Sequence, residues 1–103
     1  MGWHCAAEDA TLGEGQVIGA VVSDVKVALY RVHGVVYATS NICSHAEALL
    51  SEGFLDGDCI ECPLHGAQFS VVTGEALTAP AHDPVAVYLV KIEDGQIFVD
   101  LPD

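Results

Sequence analysis

Cys43-Ser44-His45 and Cys62-Pro63-Leu64-His65 decide how the rest of this chain is read. Each motif pairs one thiol with one imidazole, and sixteen residues separate His45 from Cys62. Two sulfur and two nitrogen donors on two loops can hold a tetrahedral zinc. They can also hold a [2Fe–2S] cluster whose cysteines bind one iron and whose histidines bind the other. A single histidine is most often an ordinary surface residue. Four donors in two short motifs point instead to metal ligation by all four. Ser44 lets both of its neighbours project from one tight loop, Pro63 stiffens the second loop, and Gly66 permits close backbone approach.

Cys59-Ile60-Glu61-Cys62 offers a superficial zinc-type Cys-x-x-Cys. An extended conformation, favoured by Ile60, would set the two alpha carbons roughly 10 Å apart with their side chains on opposite faces. A disulfide needs them within about 7 Å, and a zinc knuckle needs a tight turn. Cys59 is therefore expected to be a small buried residue. Cys5 carries no signal. Both are expected to be free thiols, since no export signal places the chain in an oxidising compartment.

Outside the motifs the chain reads as strands. Val17 to Val22, Val25 to Val32 and Val35 to Thr39 are rich in β-branched residues, with His33-Gly34 as a tight turn. Val85 to Glu93 and Gln96 to Leu101 flank Asp94-Gly95, a strong hairpin signal. Glu8 to Thr11 predicts a short helical turn. From Ile42 to Pro80 the chain is dense in Gly, Cys, His and Pro. There Leu55-Asp56-Gly57-Asp58 reads as a turn feeding a strand at Cys59 to Glu61, and Phe69 to Val72 as a strand ending at Thr73-Gly74. No long amphipathic helix is visible. The expected class is all-β, a base with a smaller inserted lobe over about 42–80, in one domain spanning 1–103.

The 103 residues are 51% hydrophobic, enough for one core, yet no stretch approaches the ~20 apolar residues of a membrane span. The N-terminus lacks a basic segment followed by an apolar one, so a cytoplasmic protein with no membrane association is expected. Fifteen carboxylates face only Lys26, Arg31 and Lys91, giving a net charge of −12. That sign argues against nucleic acid as a partner. It serves solubility, or steers the chain toward a basic partner.

Cys-x-His, a gap of this size, then Cys-Pro-Leu-His-Gly resembles the Rieske iron–sulfur family. The chain is similar in particular to the ferredoxins of bacterial aromatic-ring-hydroxylating dioxygenases, of the naphthalene and biphenyl dioxygenase kind. The matching stretches are Ala28 to Val32, Val36 to Thr39, Ile60 to Gly66, Thr73 to Leu77 and Tyr88 to Glu93. The resemblance implies a Rieske fold of antiparallel sheets with the cluster held between two loops at one tip. It implies a Rieske-type [2Fe–2S] cofactor with Cys43, His45, Cys62 and His65 as its ligands, the histidines forming the exposed electron exit. It further implies a one-electron carrier with no catalysis of its own, expected to act as a monomer. Its partners would be a flavin-containing NAD(P)H ferredoxin reductase and a terminal Rieske oxygenase.

Rieske subunits of respiratory and photosynthetic complexes carry an extra cysteine in each loop, joined as a disulfide. The matching positions here hold Ala48 and Leu64. Those relatives also place serine and tyrosine donors where this chain has Ala67 and Phe69. Donors aimed at sulfur stabilise the added electron, so their loss implies a potential near the lower Rieske limit, about −150 mV. Two other readings compete. A small Rieske subunit of a nitrite reductase has similar length, but that family often lacks the full ligand set. A structural zinc domain would be colourless. An oxygenase active site needs two further histidines and a carboxylate, and His4, His33 and His82 show no such spacing. The expected docking face comprises His45, His65, Ala46, Glu47, Leu64 and Gln68, with the Pro80 loop beside them.

Overall fold

Among the described residues ten strands follow in chain order: β1 (Gly2–Glu8), β2 (Val17–Val22), β3 (Val25–Val32), β4 (Val35–Ser40), β5 (Phe54–Asp56), β6 (Cys59–Glu61), β7 (Gln68–Ser70), β8 (Val87–Tyr88), β9 (Val90–Glu93) and β10 (Gln96–Leu101). The computed structural model describes residues 2–44, 48–64, 66–78 and 83–102. The remaining elements among them are two short 3-10 turns, Asp9–Thr11 and Leu50–Glu52. The strands form three antiparallel sheets, ordered β1-β10-β9, β2-β3-β4-β8 and β5-β6-β7.

Two-residue turns set the register of the long hairpins. Ser23-Asp24, His33-Gly34 and Asp94-Gly95 all have positive φ at both residues, the twist that a tight antiparallel hairpin requires. The β3–β4 turn is held further by Glu14, whose carboxylate accepts the His33 and Gly34 backbone N–H groups at 2.7 Å each. These two bonds hold the Glu14 carboxyl below its usual range. Arg31 pins the 3-10 turn after β1 by donating to the Leu12 carbonyl at 2.7 Å and pairing with Asp9.

β3 is the spine. Val27 and Leu29 pack with Ile97, Val99 and Leu101 of β10 and with Val22, Val36 and Ala38. Ala28, Tyr30 and Val32 point the other way, into a second apolar cluster with Leu50, Ile60, Phe69, Val71 and the two motif cysteines Cys43 and Cys62. Because successive side chains of a strand face opposite ways, one strand feeds both clusters. Tyr30 is fully buried. Thr39 Oγ1 donates to the Ser40 carbonyl, so the Tyr30 hydroxyl donates to Thr39 at 2.8 Å. Burial pushes the Tyr30 phenol well up from its ordinary value.

Several sequence expectations change here. The run Val85 to Glu93 is not one strand. It divides at Leu89, with β8 pairing to β4 and β9 to β10, so the chain passes between sheets at that residue. An unbroken apolar run gives no signal of such a crossing. The strand expected over Phe69 to Val72 is Gln68–Ser70, and Val71 begins a turn. Leu55 and Asp56 belong to β5 rather than to the turn that follows them. Glu8 ends β1, and the 3-10 turn begins at Asp9. β1 itself has no β-branched residue to announce it and exists through its pairing with β10.

Candidate metal centre

Cys43 and Cys62 come together inside the second apolar cluster, 3% and 0% exposed. They sit on loops of the same build. The Cys43 N–H donates to the Ala48 carbonyl at 2.9 Å, and the Cys62 N–H donates to the Ala67 carbonyl at 2.7 Å. Each loop thus closes five residues after its cysteine, and each closure encloses one motif histidine. His45 and His65 themselves lie outside the described residues, as do Ala46, Glu47, Pro80 and His82.

The first loop rests on a polar clip. Asn41, 4% exposed, donates through Nδ2 to Ser51 Oγ at 2.9 Å, and its Oδ1 accepts the Ser51 N–H at 2.8 Å. Ile42 and Leu49 form an isolated antiparallel bridge at the loop's neck. Gly19 lies beneath the clip, where a Cβ would stand 2.8 Å from Ser51 Oγ. Ser44, the residue between the two first-motif donors, gives its hydroxyl to the Asp83 carbonyl at 2.7 Å. That bond ties the loop to the segment after residue 82.

The second loop is carried by strands. β6 and β7 pair Cys59 with Ser70, Ile60 with Phe69 and Glu61 with Gln68, and Ile60 and Phe69 are fully buried beneath the loop. Gly66, at φ 70°, takes the left-handed conformation within it. Gly53 allows the foot of the first loop to meet the second, since a Cβ there would lie 2.0 Å from the Glu61 carbonyl oxygen.

Burial pushes the Cys62 thiol up, the Leu64 backbone N–H that donates to it works the other way, and Cys43 beside it raises it further. Two neighbouring thiols deprived of water resist ionisation. A bound cation reverses that balance, because it supplies the opposite charge and displaces the protons. The sulfur pair and the amide donor aimed at it therefore fit an iron–sulfur centre, whose potential responds to N–H groups at sulfur. With His45 and His65 outside them, the described residues hold no group of three or more His, Cys, Asp or Glu gathered as a metal site.

Cys59 does not join the pair. It starts β6 and is half-buried rather than buried as expected, because Ile60 takes the inward position of that short strand. Desolvation raises its thiol, helped by Asp58, Asp56 and Glu61. Cys5 is exposed. Of the expected docking residues, Leu64 is 43% exposed. Gln68 is half-buried and occupied, donating to Glu61 Oε1 at 3.3 Å. Two contributors went unnoticed in the sequence. Asn41 and Ser51 flank the first loop at a spacing that no metal motif uses.

The family model described as "Rieske [2Fe-2S] domain" matches residues 2–89. The ferredoxin component of the naphthalene 1,2-dioxygenase system of Pseudomonas aeruginosa is 46% identical over 99 residues, 96% of this chain and 95% of that protein. Among solved structures, the Sphingomonas yanoikuyae B1 ferredoxin superposes with a TM-score of 0.91 at 36% identity, covering 95% of this chain and 97% of that one. A ferredoxin-and-oxygenase complex of carbazole 1,9a-dioxygenase contains a chain with a TM-score of 0.87 at 38% identity, covering 94% of this chain and 91% of that one.

Proposed function

This chain belongs to the Rieske [2Fe–2S] family, and from that premise we propose how its own residues serve a one-electron carrier. It is the ferredoxin component of an aromatic-ring dioxygenase system, delivering electrons to a terminal oxygenase rather than catalysing a reaction. Its Rieske-type cluster supplies a single-electron ferric/ferrous couple.

Cys43 and Cys62 would hold one iron of that cluster through sulfur, and His45 and His65 would hold the other through nitrogen. The observation that carries this assignment is the buried sulfur pair on two loops closed by the same backbone bond. The Leu64 backbone N–H donates to Cys62. Ala67 and Phe69 are fully buried and bring no hydroxyl. That supports a potential near the lower end of the Rieske range, within reach of a flavin. Electrons therefore come from a flavin-containing NAD(P)H reductase. The exit lies at the loop tips, where Leu64 of the second motif stands exposed.

The working unit is one domain spanning 1–103, with the lobe at about 42–80 bound to the base through β3, which feeds both apolar clusters. It acts as a monomer in the cytoplasm. No helix among the described residues is long and apolar enough to cross a membrane. Stopped-flow mixing tests the assignment. Flavin reductase with NAD(P)H should reduce one equivalent of cluster per chain, and the reduced protein should be reoxidised by the terminal oxygenase. A cluster that stays oxidised with every such reductase overturns the proposed electron source.

A further inference from the structure

We propose that the neck of the first cysteine loop is a docking groove for the terminal oxygenase, where Lys26 pairs with a partner carboxylate beside an inserted apolar side chain. This rests on the reading that the oxygenase is the electron acceptor. Two shallow hollows make the groove, about 360 Å³ lined by Lys26, Ile42, Ala48 and Leu49, and about 350 Å³ that adds Val21, Gly19 and the Asn41 and Ser51 of the polar clip. They share Lys26 and Leu49 and so run together. The walls carry exposed apolar side chains among the polar ones and are open to water, with Val21 71% and Ile42 47% exposed. Val21 and Lys26 are cross-strand partners in β2 and β3, which places the lysine stem along the apolar wall.

The oxygenase follows from the proposed function, and charge sets how the groove would hold it. The chain has three cations against fifteen carboxylates. Arg31 is engaged by Asp9 and the Leu12 carbonyl. Lys91 lies over the Trp3 ring at 4.7 Å, with Glu93 at 3.6 Å. Lys26 is the one cation with no ion pair among the described residues, and it stands at this groove. An acidic body attracts a basic partner from any direction. A lone positive point on that body instead fixes register, because only one orientation brings a partner carboxylate to it. Ile42 precedes Cys43, and the Ala48 carbonyl accepts the Cys43 N–H, so a partner seated here grips the neck of the first motif loop and leaves the proposed electron exit at the loop tips uncovered for transfer.

The two electrostatic pictures give opposite signs. Lys26→Glu makes the chain two units more negative. If only overall attraction to a basic partner mattered, that change would tighten binding. Pairing at the groove makes it weaken binding, by about tenfold. Val21→Ser, an exposed position on β2 outside both motif loops, tests the apolar half and should weaken binding about threefold. Titration calorimetry of the cluster-loaded protein against the terminal oxygenase measures both, with absorption spectrum and reduction potential reporting an intact centre. Binding by Lys26→Glu that is unchanged or tighter overturns the proposal, as does weakening seen only with the reductase. Wild-type protein that reduces the oxygenase while both variants bind equally well sinks the groove alone. Wild-type protein that neither binds nor reduces the oxygenase sinks the groove and the acceptor assignment together.

Discussion

Cys43 lies on a loop whose feet are tied by side-chain hydrogen bonds, whereas Cys62 lies on one carried by paired strands over fully buried Ile60 and Phe69. The backbone closure is the same in both, so the difference lies in what stands behind it. A polar clip such as Asn41 with Ser51 can release its loop while the rest stays folded. A loop seated on the core loosens only when that core does. Local opening of this kind is drawn from the elements with the least apolar support. The first loop should therefore be the route by which the cluster is lost.

The largest effect is expected at the second loop's support. Phe69→Ala empties a fully buried site and should cost about 3–5 kcal/mol in denaturant unfolding. Cluster loss and unfolding should then run together. Bleaching of the visible absorption well ahead of the far-UV signal would break the comparison from that side.

Asn41→Ala should cost less, about 2 kcal/mol, since it removes a buried amide bonded twice to Ser51. Its signature is kinetic: a chelator should bleach the cluster faster under conditions where the variant remains folded. If Asn41→Ala destabilises more than Phe69→Ala, the polar and apolar supports have been assigned the wrong way round.

Glu14→Gln bears on the base, far from either loop, and should do least. The Glu14 carboxyl is held below its ordinary value of 4.5 by two backbone N–H donors. Its contribution is therefore present above the unfolded-state value and lost as pH falls through the lower folded one. Wild type and Glu14→Gln should differ in thermal stability at neutral pH and converge as the pH drops below about 4.5. A gap that stays constant into acid would show that the carboxylate is not what holds the β3–β4 turn. Cluster retention should be alike in the two at neutral pH.

The base was legible wherever local chemistry set it. β2, β3 and β10 fall on the limits that their β-branched runs predict, and His33-Gly34 and Asp94-Gly95 turn where expected. Elements made by tertiary pairing were not legible: β1 leans on β10, and the run after Val85 is shared between two sheets. At the centre, Cys43 and Cys62 stood out in the sequence because two short motifs repeat one chemistry, and the fold buries the two side by side. The Asn41–Ser51 clip could not be read. Its partners are ten residues apart, and it is the folded neck of the loop that brings them together. Cys59 misled for a related reason, since a cysteine in a short strand takes its burial from whichever neighbour wins the inward position.

The most direct test of the account is nitrogen hyperfine spectroscopy on the dithionite-reduced protein and its single-site variants. Two histidine nitrogens should couple to the reduced centre in the wild type, and Cys43→Ser or Cys62→Ser should abolish or reshape that centre while Cys59→Ser leaves the spectrum unchanged. A reduced signal without nitrogen coupling, or one that depends on Cys59, would contradict the assignment of two cysteines and two histidines to the cluster.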